Sequence, residues 1–148
     1  MRILALDLGE RRIGVAVSDP SGTIARPLGV IPRRSRAEDF AAIAALVAEH
    51  GAEQVVVGRP LTLRGEVGPQ ARWVEDYARA LAEALPVPVE LWDERYTTTT
   101  AEVILETVRP PSKRRRGDVD AVAAAVILQD FLEARRDTKG GDENDEVL

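Results

Sequence analysis

Ile3-Leu4-Ala5-Leu6-Asp7-Leu8-Gly9-Glu10-Arg11-Arg12-Ile13-Gly14-Val15-Ala16-Val17-Ser18 opens the chain with an acid, Asp7, set among apolar residues. Two apolar runs flank Gly9-Glu10-Arg11, which reads as a hairpin connection between two strands. A third strand fits about residues 23–31, after the turn signals of Asp19-Pro20-Ser21-Gly22. The periodicity then changes. Ser35-Arg36-Ala37-Glu38 has the capping-box pattern, with Ser35 as N-cap and Glu38 reaching back. Behind it Phe40, Ile43, Ala44 and Val47 recur at helical spacing, and Gly51 ends the helix.

The rest of the chain alternates. Gln54 to Val57 reads as a short buried strand running into Gly58-Arg59-Pro60, followed by a loop with Gly65 and Gly68. Pro69 suits the first turn of a helix whose apolar face is Trp73, Tyr77 and Leu81. Val89 to Trp92 is the next strand, and a helix carrying Ala101, Ile104, Leu105 and Val108 follows. A basic loop spans Pro110 to Gly117, and a final helix over about 119–135 packs Val122, Ala123, Val126, Ile127 and Phe131. Consecutive hairpins followed by crossover units predict an α/β architecture, a five-stranded mixed sheet flanked by helices.

Composition narrows the class. A chain of 148 residues favours one domain, since domains usually run to roughly 100–200 residues. It contains no cysteine, which excludes disulfides, thiolate zinc sites and thiol nucleophiles. Asp7 interrupts the N-terminal apolar run too early for a signal-peptide core, and no stretch approaches the ~20 apolar residues of a membrane span. A cytoplasmic protein with no membrane partner is the expectation. Of 25 acids and 20 bases, five acids and one lysine fall in the last twelve residues, leaving 20 acids against 19 bases. The expected division is therefore a folded domain over 1–136 and an acidic, disordered tail over 137–148. Bases cluster at Arg33, Arg34 and Arg36 and at Lys113, Arg114, Arg115 and Arg116. On charge alone these are solvated loops, although such clusters also suit a polyanion.

Three acids stand in telling places. Asp7 lies within the first strand, where helices covering a sheet make an unpaired carboxylate costly. A salt bridge to an arginine explains it structurally; a metal ligand or general base explains it functionally. Asp93 and Glu94 end the strand from Val89, at the carboxyl edge where open sheets meet ligands. They point to opposite faces if the strand persists, so at most one joins Asp7; both could instead pair with Arg95. Asp120 opens the last helix, where the helix dipole alone favours an acid. The small residues Ala123-Ala124-Ala125 let that helix approach the sheet closely. Asp118 lies about 200° away around the helix and is not expected to share the site. Together the acids make an oxygen-rich site suited to Mg²⁺ or Mn²⁺. Two such ions ~3.5–4 Å apart serve phosphodiester hydrolysis by holding the attacking and leaving oxygens.

Four blocks in order carry a family resemblance over about residues 1–135. They are Leu4-Ala5-Leu6-Asp7-Leu8-Gly9 through Arg12-Ile13-Gly14-Val15-Ala16 to Ser18-Asp19; Val57-Gly58-Arg59-Pro60 with Gly65 and Gly68-Pro69-Gln70-Ala71; Trp92-Asp93-Glu94-Arg95 with Thr97-Thr98 and Ala101; and Asp120-Ala121-Val122-Ala123-Ala124 to Ile127-Leu128-Gln129. The sequence resembles the YqgF or RuvX family of Holliday-junction-resolvase-like pre-ribosomal-RNA nucleases. The resemblance implies a ribonuclease-H-like fold, with Asp7, Glu94 and Asp120 as metal-binding catalytic acids. It further implies Mg²⁺ or Mn²⁺ as cofactor and 5′-end trimming of the small-subunit (16S) ribosomal RNA precursor. Arg59 and Tyr96 depart from the family pattern, each standing where a leucine is usual.

Given that resemblance, Gly9, Arg12, Arg59, Arg64, Arg95, Thr98, Lys113, Arg114, Arg115 and Arg116 are the expected nucleic-acid contacts. Gly9 and Gly14 would admit a tight turn or a close approach of backbone to phosphate. Six aromatics, none clustered in sequence, give little sign of a base-stacking platform. Three other readings stay open: a Holliday junction resolvase acting on branched DNA, a nucleotide-binding fragment of the actin and sugar-kinase superfamily, and a non-catalytic RNA-binding or transcription-associated module. A monomer or weak homodimer is expected, since no dimerisation helix is evident.

Overall fold

In the computed structural model, which describes residues 1–61, 64–94, 116–138 and 146–147, the opening segment forms the expected hairpin. Strand β1 (Ile3–Leu8) pairs antiparallel with β2 (Arg12–Ser18), setting Asp7 opposite Gly14. The turn closes with the Gly9 N–H donating to the Arg12 carbonyl at 2.9 Å. Asp19 shapes the next turn, its carboxylate accepting the N–H groups of Thr23 (2.7 Å) and Ile24 (2.8 Å). Strand β3 (Ala25–Pro32) then completes the antiparallel half.

Helix α1 (Arg36–His50) starts at the capping box read from the sequence. The Ser35 hydroxyl accepts the Glu38 N–H at 3.1 Å, and Gly51 ends the helix. The chain crosses over to β4 (Gln54–Arg59), parallel to β1, then through α2 (Pro69–Ala84) to β5 (Val89–Asp93), parallel to β4. The five expected strands thus lie in the order β3-β2-β1-β4-β5 as a mixed sheet. A two-residue strand, β6 (Glu146–Val147), adds antiparallel to the outer edge of β5, which otherwise presents unpaired backbone groups. Of the acidic stretch from Asp137 onward, residues 137 and 138 end a helix and 146–147 form this strand.

Alternation along the strands divides the core in two. Leu4, Leu6 and Leu8 of β1 face Ile43 and Val47 of α1 and Val74, Tyr77 and Leu81 of α2. Ile3 and Ala5 face the other way, against Ala124, Ala125, Leu128, Phe131 and Leu132 of α3 (Arg116–Thr138). Each Val, Leu, Ile or Phe side chain buried this completely contributes about 1.5–3 kcal/mol. Among the described residues no helix is long and apolar enough to cross a membrane.

Helix α3 corrects two expectations. It begins at Arg116, so Arg116 and Gly117 are helical and not part of a loop. Gly117 looks like a helix breaker, but a helix with this much packed surface propagates through one unfavourable residue. Its apolar face keeps the expected Val122, Ile127 and Phe131 buried, but Ala123 and Val126 are half-buried, while Ala124, Ala125, Leu128 and Leu132 join the core. The helix expected to carry Ala101 to Val108, and the basic residues Lys113 to Arg115, lie outside the described residues.

Helix α3 reaches the sheet at Gly14. A Cβ on Gly14 would collide with the backbone carbonyl of Asp120, which cannot yield as a side-chain tip can. Gly14→Ala is therefore expected to lower stability by about 1–3 kcal/mol, the usual cost of overpacking, as read from urea unfolding monitored by circular dichroism. Unchanged stability would show that α3 does not touch β2 there.

Candidate active site

Asp7 continues the Ile3–Ala5 alternation, so its side chain faces α3. The two strands beside it carry glycine on that same face. Gly14 on β2 lets the Asp120 backbone settle against the sheet. Gly58 on β4 leaves room for the Ile127 side chain and for Cγ of Glu94, which would lie 3.2 Å from a Cβ there. Glycine inside a strand marks a close approach. Here both approaches bring acids towards Asp7. The close neighbour of Gly14 is thus a helix backbone and not a phosphate.

The choice between Asp93 and Glu94 follows from β5 keeping its alternation through Asp93. Asp93 falls on the α2 face, where it accepts Nε of Arg59 at 2.6 Å. Glu94 falls on the face of Trp92 and Asp7, its N–H donating to the Arg59 carbonyl at 3.0 Å. Asp120 is the fifth residue of α3 and not part of its first turn. Its placement owes more to packing than to the helix dipole. The Arg12 side chain meets it, Nε donating to Oδ2 at 2.6 Å.

The electrostatics bind the three acids into one unit. Burial, and secondly the charge of Asp120, raise the Asp7 carboxyl to about 6. Glu94 is raised to about 7, by its dense surroundings first and by Asp7 second. It keeps substantial solvent access all the same. Two carboxyls poised near neutrality can hold or release a proton in the physiological range, as reacting groups require. Repelling carboxylates also suit a hard cation, which would relieve the repulsion. The donor set therefore fits Mg²⁺ or Mn²⁺. Among the described residues no three acids or histidines are already gathered at metal-binding separation, and Arg12 occupies one oxygen of Asp120.

The expected nucleic-acid contacts divide. Gly9 sits at the tip of the β1–β2 turn, and Arg64 is exposed. Arg12 is a third exposed beside Asp120. Arg59 is only 11% exposed and is held by Glu75 and Asp93, both at 2.6 Å. Arg116 opens α3, whereas Arg95, Thr98, Lys113, Arg114 and Arg115 lie outside the described residues.

The absence of clustered aromatics needs correcting. Phe40 of α1 packs edge-on to Tyr77 of α2 at 5.2 Å, and Trp73 lies 5.6 Å from Tyr77. The Arg33 guanidinium covers Trp73 at 4.7 Å from the ring centroid. The sequence signal was available in Trp73 and Tyr77 at i, i+4 on one helix face, but their partners come from elements far away in the chain.

Comparison with known proteins bears on the family and the fold. The family model RuvX, described as Holliday junction resolvase, matches residues 1–134. A relative from Chloroflexus aggregans named "Putative pre-16S rRNA nuclease" is 51% identical over 134 residues, covering 90% of this chain and 94% of its own. Another of that name from Caldanaerobacter subterraneus is 42% identical over 139 residues, covering 93% of this chain and all of its own. Among solved structures, RuvC of Thermus thermophilus superposes with a TM-score of 0.61 at 18% identity, covering 93% of this chain and 98% of its own. Its complex with a Holliday junction substrate gives 0.62, covering 93% and 97%. At such identity the likeness is one of fold, and that fold is the ribonuclease-H-like one of the RuvC-type resolvases.

The raised carboxyl of Asp7 has a consequence for stability. An acid whose folded-state pKa exceeds its unfolded value destabilises the fold when ionised. The cost is absent below about pH 4, grows between there and pH 6, and is complete above. Asp7→Asn is expected to raise stability at pH 8 in EDTA by about 1–3 kcal/mol, a gain that disappears at pH 4. Thermal melts at the two pH values measure it; an equal effect at both would place Asp7 in an ordinary solvated setting.

Proposed function

The chain belongs to the RuvX family, and from that membership we propose that it is a divalent-metal-dependent nuclease processing the 5′ end of the 16S ribosomal RNA precursor. The observation that carries the proposal is the placement of Asp7, Glu94 and Asp120 towards one face of the sheet, with Asp7 raised by burial and then by the charge of Asp120, and Glu94 by burial and then by the charge of Asp7. An acid pair kept in this state at a net cost in stability is what a working site requires and a structural ion pair does not. RNA as substrate rests on the names of relatives that share 42–51% of the sequence over nine-tenths of this chain. Such a substrate fits a cytoplasmic protein.

Hydrolysis adds water across a P–O bond: the water oxygen joins phosphorus, the bridging oxygen leaves, and one proton passes from the water to the leaving group. Mg²⁺ or Mn²⁺, held by Asp7, Glu94 and Asp120, would supply Lewis acidity to the phosphate and lower the pKa of bound water. Glu94, the more open of the two raised acids, is placed to take the proton from the attacking water. Asp7, fixed within the strand, would anchor the metal at the sheet surface. Arg12 balances Asp120 before substrate arrives and lies within reach of a phosphate afterwards. The family description and the RuvC fold favour branched DNA as the second candidate substrate, on the same acids.

Labelled precursor RNA spanning the small-subunit 5′ end, incubated with Mn²⁺, Mg²⁺ or EDTA, tests the reading. Cleavage is expected only with metal. It should fall by about 10²–10⁴-fold in Asp7→Asn and Glu94→Gln, the range for losing a positioned acid–base group. Cleavage that survives EDTA or Asp7→Asn would contradict it, and cleavage of four-way DNA in preference to the RNA would select the second substrate.

A further inference from the structure

On the sheet face opposite Asp7, a pocket of about 550 Å³ opens between the β1–β2 turn, the residues after β3 and the first turn of α2. Its size falls within the roughly 300–1,000 Å³ of small-ligand sites. Arg33 and Trp73 form one wall, Pro69 and Gln70 another, and Gly9 and Glu10 the rim.

The Arg33 side chain is held in place before any ligand arrives. Nη1 donates to the Gly9 carbonyl at 3.2 Å, and Nε lies 3.6 Å from Oδ2 of buried Asp39. Asp39 is itself fixed, accepting the Arg34 N–H at 2.9 Å and the Tyr77 hydroxyl at 3.1 Å. The guanidinium lies over Trp73 and, at 5.4 Å, over Tyr77. Buried Nε has no hydrogen-bond partner among the described residues. A fixed guanidinium plane beside an aromatic ring is what an unstacked base packs against.

The opposite wall suits the phosphate of the same nucleotide. Helix α2 is 16 residues long, Gly68 caps it without a side-chain hydrogen bond, and its first turn contains no acid. Its N-terminal amides and positive dipole end are thus not offset by an acid of the helix's own first turn. Glu10, exposed on the rim, opposes a second phosphate and suits a hydroxyl donor such as a ribose. The pocket is also connected to the candidate site. Leu8 lines it while the preceding residue, Asp7, faces the acids, so only about 7 Å of strand around Gly9 separates the two.

We infer that this pocket binds one unstacked nucleotide of the substrate strand, its base against Arg33 and Trp73 and its phosphate towards the first turn of α2. The inference rests on the nuclease reading for the identity of the strand. A strand so held crosses the sheet edge over Gly9, with the bond to be cut at the acids and a neighbouring nucleotide anchored behind them.

The chain has two tryptophans, so Trp92→Phe leaves Trp73 as the sole reporter. That variant, titrated with a short single-stranded oligouridylate in EDTA, should show quenching of Trp73 emission that saturates with binding. Gln70→Glu, which favours helix α2 itself, should weaken binding about fivefold or more, as losing one phosphate contact does. Arg79→Gln, the same charge change further along α2, should change it less than about twofold. Trp73 emission that stays constant through the titration overturns the inference, as does equal weakening by Gln70→Glu and Arg79→Gln. Because EDTA suppresses cleavage, quenching by RNA that is never cut with metal would retain the pocket and reject the nuclease reading.

Discussion

The contact between α3 and β2 at Gly14 is the constraint on which the site depends. A helix packed on a sheet normally stands off by the length of its side chains. Here the absence of a side chain on Gly14, together with Ala121, Ala124 and Ala125 on the helix and Ala16 on the strand, brings backbone against backbone. That approach carries Asp120 to the level of Asp7. Gly58 does the same on the other side of β1, admitting Glu94 past the Ile127 side chain. The acids are gathered by what their neighbours lack.

Such a gathering works against stability. Asp7 and Glu94 are both shifted towards the protonated form because charge there is poorly solvated and repelled. Among the described residues Asp120 has a cation in contact, Arg12, which comes from the strand paired with β1. The site is therefore under-neutralised at neutral pH, the condition in which a divalent cation gains most from binding. By contrast, the acids on the opposite face are matched: Arg59 joins Glu75 and Asp93, and Asp39 is enclosed by Arg33, Tyr77 and the Arg34 N–H. One face of the sheet stores unbalanced charge, and the other resolves it.

Much of the fold was legible because its signals are local. The β1–β2 hairpin, the Ser35 cap and Pro69 at the start of α2 each follow from a few adjacent residues. Asp7 was legible as an acid inside an apolar strand, and the four motif blocks pointed to Glu94 and Asp120 as its companions. The alternation rule then separates Glu94 from Asp93 only once the end of β5 is known. What the sequence hid depends on long-range contact. Arg59 reads as a free base in a motif, but its partners lie 16 and 34 residues away. The Phe40–Trp73–Tyr77 cluster joins two helices separated by a strand. The start of α3 was obscured by Gly117, whose local preference yields to the packing of the whole helix.

Crystals grown with Mn²⁺ and measured at the manganese absorption edge give the most direct test of the shared site. The expected result is anomalous density bounded by Asp7, Glu94 and Asp120, with Arg12 displaced from Oδ2 of Asp120. Manganese bound elsewhere, or three acids left unliganded with the Arg12–Asp120 pair intact at saturating metal, would contradict a single metal-binding centre built from these acids.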